Sequence, residues 1–169
     1  MSSIPLLPNL STWAQNRLTA IFQATTQDDF DLAYENFVAK QVHITVNGKH
    51  VSRADYKTQL WQEKGLESGA EVSYPGTVEV PGTDGELSGL VGLFLQATVA
   101  EKLLVFGAPE TKSVNSSYNL TIALDSTLQH PGGPINHHAD DRRVSVLNKV
   151  SVGKQDPIVP PHGSQTTSS

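Results

Sequence analysis

The sequence predicts an α+β domain, with three helices followed by a curved antiparallel sheet of four to six strands. Three observations predict it. Apolar residues recur at helical spacing in three segments before residue 65, each preceded by a residue suited to capping a helix. Between the second and third of these segments, strict alternation runs into Asn47-Gly48, a strong short-range hairpin signal. From residue 70 onward the period is two, and the helical period does not return.

The first helix is expected over residues 10–25. Leu10, Trp13, Ala14, Leu18, Ile21 and Phe22 make one apolar stripe, and Asn9 or Ser11 is placed to cap its start just after Pro8. The second is expected over about 27–38. Thr26 precedes Asp29 by three residues in a capping-box arrangement, and Asp28, Asp29 and Asp31 put negative charge in the first turn, where the helix dipole favours it. Phe30, Ala33, Tyr34 and Phe37 form its apolar face. In the hairpin that follows, Val42, Ile44 and Val46 share one face while His43 and Thr45 point the other way. Ser52 then opens a third helix over about 53–64, with Tyr56, Leu60, Trp61 and Lys64 on one face and Gly65 as its stop.

The sheet segments are longer. Residues 71–80 are interrupted by Pro75-Gly76, which predicts a bulge or an edge position. After a turn at 81–85, residues 87–106 are apolar on both alternating sets, so a central strand covered on both sides is expected. Residues 113–125 and 142–152 give two more strands; in the last, Val144, Val146, Val150 and Val152 are read as one face interrupted by Asn148. The expected core includes Trp13, Ile21, Phe22, Phe30, Phe37, Leu60, Trp61, Leu93, Leu95, Leu120, Ile122 and Val146. Residues 1–8 read as an arm, 9–155 as the domain and 156–169 as a disordered tail, with a long irregular loop at 126–141.

Composition narrows the function classes. The chain has 169 residues, enough for one domain with a sizeable core, and a net charge of -5 without a basic run, so it lacks the electrostatic footprint of a nucleic-acid binder. Arg142-Arg143 is the one basic pair and reads as the solvated start of the last strand. There is no cysteine, which excludes disulfides and thiol chemistry. No stretch reaches the ~18 apolar residues of a membrane span, and the N-terminus lacks the basic region of a secretory signal, so a cytoplasmic protein is expected. Dinucleotide, P-loop, serine-hydrolase and HExxH zinc motifs are absent.

The paired helices at Trp13–Phe22 and Phe30–Phe37, the hairpin VHITVNGKHVS, the helix RADYKTQLWQ directly after it and the strands beyond carry a family resemblance. In that order they resemble the nuclear transport factor 2-like superfamily (NTF2-like, SnoaL-like or cystatin-like α+β cones), over about residues 9–152. The VNGK…SR…Y segment looks like small fungal members of unknown activity. The resemblance implies a sheet curled around its helices, a conical cavity and a homodimer formed through the outer sheet face. Members include dehydratases, isomerases, polyketide cyclases, hydrolases and non-catalytic scaffolds, so the fold does not choose a function. What it implies here is a pocket for a small apolar molecule, with or without cofactor-independent lyase, isomerase or cyclase activity. The alternative is a non-catalytic dimeric interaction scaffold.

Catalysis in such cones places a titratable group in an apolar pocket, where burial moves its pKa toward neutrality. Asp125, His43 and Tyr34 are the candidates for that role, and Trp13, Tyr34, Tyr56, Trp61 and Phe94 are the candidates to line the pocket. Each has a bland alternative: Asp125 starts a turn, His43 faces solvent, and the aromatics are ordinary core. His130, His137, His138, Asp140 and Asp141 cluster in the long loop and have metal-binding chemistry. Adjacent histidines in an extended loop point apart, however, so no metal and no cofactor are expected.

Overall fold

Each helix starts where a side chain satisfies its free N–H groups. Asn9 caps α1 (Leu10–Gln23) by accepting the Thr12 N–H at 2.8 Å. Thr26 caps α2 (Gln27–Glu35): it accepts the Asp29 N–H at 3.1 Å and donates its hydroxyl to the Asp29 carboxylate at 2.7 Å. Ser52 caps α3 (Arg53–Glu63) through the Asp55 N–H at 3.1 Å. The computed structural model describes residues 6–65, 69–105, 107–129 and 140–155; the expected tail at 156–169 and the loop histidines His130, His137 and His138 lie outside the described residues.

The second helix ends three residues before the helical spacing predicts. Phe37 continues the apolar spacing, but its carbonyl accepts the Val144 N–H at 2.8 Å, and β1 (Val38–Val46) starts at the next residue. A sheet hydrogen bond thus outcompetes another helical turn. The hairpin to β2 (Lys49–Val51) turns at Asn47 (φ 50°) and Gly48 (φ 78°), the two consecutive left-handed residues that a type I′ turn requires.

The remaining strands are β3 (Ala70–Gly82), β4 (Gly85–Val105), β5 (Ala108–Leu124) and β6 (Arg142–Gln155). They complete a six-stranded, curved and unclosed sheet in the order β2-β1-β6-β5-β4-β3. Every neighbouring pair is antiparallel except β1 and β6, which run parallel. Tight turns force antiparallel pairing, and β1 and β6 are not joined by one.

The helices pack on one face of this sheet only. Val91, Leu93, Leu95, Ala97 and Val99 of β4 are buried under them, but Leu90 and Phe94 on the opposite face are 53% and 59% exposed. The expectation of a strand covered on both sides is therefore corrected for the single chain: apolar sequence on both faces does not mean that both are covered.

The last strand needs a second correction. A register shift places Thr121 opposite Val146 and Ile122 opposite Val144. This bulge changes the phase of the alternation. Val144 faces the helices, but Leu147 and Lys149 follow it inward, and Val146, Val150 and Val152 face out. Val146 leaves the expected core for that reason. Trp61 is half-buried against the core, and the other expected core residues are buried.

Arg142 and Arg143 give the third correction. They are buried, and their N–H groups are satisfied by carbonyls of Pro8, Glu35 and Glu86 and by the Asp140 carboxylate. Among the described residues, no helix is long and apolar enough to cross a membrane.

Candidate functional site

Inside the cone, α3 brings Tyr56 and Glu63 over β5 and β6. One helical face carries Tyr56, Leu60 and Glu63, and the inner face of the sheet carries Ser116, Tyr118, Lys149 and Ser151. The buried Lys149 ammonium donates to both Glu63 carboxylate oxygens at 2.6 Å and lies 5.4 Å from the Tyr118 ring centroid. Ser116 and Ser151 join side chain to side chain at 2.9 Å. The Tyr56 and Tyr118 hydroxyls are fully buried, and neither has a partner in hydrogen-bond geometry among the described residues, although each influences the titration of the other. Glu63 and Ser151 of this cluster also border, with Gln59, Gln62 and Lys112, an open groove of about 380 Å³.

The electrostatics of the cluster favour holding protons over taking them. Burial, reinforced by the nearby Glu63 carboxylate, pushes the Tyr56 hydroxyl well above its ordinary pKa. Burial does the same to Tyr118, with Tyr56 and Glu63 adding to it. Burial lowers the Lys149 pKa, and Glu63 opposes that shift. The two hydroxyls are therefore donors at neutral pH, with no general base among them.

Of the residues singled out from the sequence, the structure brings several aromatics together. Tyr34 and Tyr56 have ring centroids 6.2 Å apart, Phe30 and Trp61 4.9 Å, and Trp13 and Phe37 6.1 Å. The Tyr34 hydroxyl is pushed up by burial and donates to the Arg53 carbonyl at 2.7 Å, which ties it to the start of α3. The other two catalytic candidates are elsewhere. His43 is exposed on the outer sheet face, with its ring stacked 4.9 Å from that of His50. Asp125 directly follows β5 and accepts the Thr127 N–H at 2.9 Å and the Thr127 hydroxyl at 2.6 Å, so it closes a turn; these bonds, the hydroxyl's first, lower its pKa. Phe94 projects from the outer face, away from the cone.

The helical and strand patterns did not single out Glu63, Tyr118 or Lys149 as site residues. A lysine among inward-facing positions is the signal, but it is visible only once the bulge in β6 is known. Among the described residues, no group of three or more His, Cys, Asp or Glu side chains is arranged to hold a metal ion.

The outer face has a different character. Val78, Val80, Leu90, Phe94, Val150 and Val152 are exposed there. Between them stand neutral polar side chains such as Gln96, Ser117, Asn119 and Asn148. A shallow depression of about 320 Å³ lies in this face, lined in part by Val78, Leu90, Gly92, Asn119, Val146 and Asn148.

No family model and no curated protein sequence matches the chain. Among solved structures, the chain is similar to the S. rosetta CaMKII hub, with a TM-score of 0.52 and 10% identity over 87% of this chain and 100% of that one. It is also similar to a chain of the C. albicans Mtr2-Mex67 M domain complex, with a TM-score of 0.50 and 14% identity over 85% and 93%. An NTF-2 like protein of unknown function from Pseudomonas aeruginosa matches at a TM-score of 0.45 and 10% identity, over 81% of this chain and 91% of that one. At such identities the first two likenesses speak for the fold alone. Three helices on one face of a curved sheet ordered β2-β1-β6-β5-β4-β3 make this chain an NTF2-like α+β cone by fold.

Proposed function

We propose that this chain is a non-catalytic scaffold that pairs with a second copy of itself through the outer face of its sheet. One observation carries the reading: the exposed apolar residues of β3, β4 and β6 form one face, with neutral side chains between them. Val78, Val80, Leu90 and Phe94 adjoin across β3 and β4, and Val150 and Val152 lie beyond the polar outer row of β5. A stable interface needs ~800 Å² per partner, so the polar residues between them are buried with them. Pairing this face desolvates no ion among the residues named, which keeps the cost of association low. The three catalytic candidates are not brought together: the Tyr34 hydroxyl donates to the Arg53 carbonyl, His43 is on the outer face and Asp125 is in a turn. A hub and a partner complex among the similar folds agree with a scaffold. Light scattering at micromolar concentration tests it: a mass of twice 18.2 kDa is expected, and a clean mass near 18.2 kDa overturns the reading.

A second reading rests on Tyr56 and Tyr118. Two buried hydroxyls that have only each other nearby leave at least one O–H without an acceptor, which is costly unless something accepts from it. A small guest with acceptor oxygens, seated beside Lys149, meets that need better than the small apolar molecule expected from the resemblance. Native mass spectrometry of the purified protein tests it. A bound small molecule should be present, and should be lost in a Tyr56→Phe, Tyr118→Phe double variant.

A further inference from the structure

We infer that the two copies pair by seating Phe94 of each in the depression above Gly92 of the other, across a two-fold axis that passes over β4. This rests on the pairing reading and specifies its register. Gly92 and Phe94 are two residues apart on one strand, so they share a face at a spacing of about 7 Å. Gly92 is one of the residues that line the depression. A Cβ built there meets Val78 Cγ2 at 3.2 Å and Asn119 Oδ1 at 3.4 Å, so the neighbouring side chains already form its walls. Among the described residues, Phe94 is the one aromatic in the set of large exposed apolar side chains. Its partner in the register is Gly76, where a Cβ would lie 3.5 Å from the ring's Cδ2, and 59% of Phe94 is exposed.

A two-fold interface requires each contact to occur twice with the roles exchanged. A projection and a depression side by side on one strand satisfy this with a single axis midway between them. Val78, Leu90 and Val146 then surround the inserted ring, and the Asn119 and Asn148 amides on the rim offer hydrogen bonds; Glu79 also borders the depression, with its carboxylate accepting the Ser11 N–H at 2.6 Å. Aromatic side chains seated in such central pockets dominate interface energetics.

The test is an exchange of projection and depression, measured as the dimer dissociation constant by sedimentation. Gly92→Leu and Phe94→Ala are each expected to weaken pairing at least tenfold. The double variant is expected to bind at least tenfold more tightly than the product of the two single losses, because the side chain added by Gly92→Leu then enters the space opened by Phe94→Ala. A double variant at or below that product, with a dimeric wild type, overturns this inference and leaves the pairing reading standing. A monomeric wild type overturns both. Circular dichroism melts of all four proteins establish folding. If a Gly92 variant fails to fold, spin labels supply the register instead: the chain has no native cysteine, and a label at Gln96→Cys leaves both positions intact. Strand and sheet spacings place the two labels within about 30 Å of each other for this axis. A distance beyond about 40 Å overturns the inference.

Discussion

The Arg142 guanidinium lies 5.6 Å from the ring centroid of Trp13, while its NH1 group donates to the Pro8 carbonyl at 2.7 Å and to the Glu86 carbonyl at 3.0 Å. Its Nε and NH2 groups bind the Asp140 carboxylate at 2.9 and 2.8 Å. One fully buried cation thus joins the segment before α1, the start of β4 and the start of β6. Removing it leaves a largely buried carboxylate and two carbonyls without their donor. Arg142→Met should lower the unfolding free energy by about 3–5 kcal/mol, read from urea denaturation with an unchanged far-UV spectrum of the folded state. A loss within the error of the measurement would show that the clamp is replaceable.

Asp140 makes the same cluster sensitive to acid. Burial alone would raise its pKa, but the hydrogen bonds and charge of Arg142, with Arg17 at 3.7 Å, outweigh burial and lower it. A carboxylate held below its unfolded pKa adds stability above that unfolded value, about 3.9, and the contribution disappears as pH falls through the lowered folded value. Stability should therefore decline below about pH 4, and Asp140→Asn should make that decline shallower while lowering stability at neutral pH. Thermal melts from pH 7 to pH 2 read both effects; parallel curves for the two proteins would contradict the assignment.

Gly89 marks where α1 meets the sheet. Its φ is 152°, and a Cβ there would lie 2.4 Å from the Val80 carbonyl oxygen and 2.6 Å from Leu10 Cδ1. The carbonyl belongs to the paired strand and cannot swing away. Gly89→Ala should cost more than about 3 kcal/mol, from overpacking added to backbone strain. Gly48→Ala, at φ 78° with open space around it, should cost only about 1 kcal/mol. Equal losses in the two variants, measured side by side, would mean that close approach at Gly89 adds nothing to conformation.

The hydroxyl of Tyr118 offers a quieter test. With no partner in hydrogen-bond geometry, deleting it removes an uncompensated desolvation cost and little else. Tyr118→Phe should leave stability unchanged or raise it by up to about 1 kcal/mol. A loss of more than that, measured in urea, would mean that the hydroxyl is bound to something in the folded protein.

Much of this architecture is legible in the sequence because it depends on neighbours a few residues apart. Asn9, Thr26 and Ser52 cap their helices through a side chain and an N–H three residues on. Asn47-Gly48 sets its turn from its own dihedral preferences. The apolar stripe of α1 needs only the helical period to predict which residues are buried. The same stripes predict that Trp13, Tyr34 and Tyr56 are buried, and they are.

What the tertiary structure alone decided depends on partners far along the chain. The helix after Thr26 stops at Glu35 because Phe37 finds Val144, more than a hundred residues away. The bulge between β5 and β6 sends Val146 outward and Lys149 inward, and period-two alternation carries no mark of it. Arg142 reads as a solvated cation until Trp13, Pro8 and Asp140 surround it. Phe94 reads as pocket lining because a hydrophobic residue records only that some surface must cover it, not which one. Local periodicity fixes where side chains point relative to their own element; the face that each element turns to the core is fixed by long-range pairing, and so is the position of the candidate site.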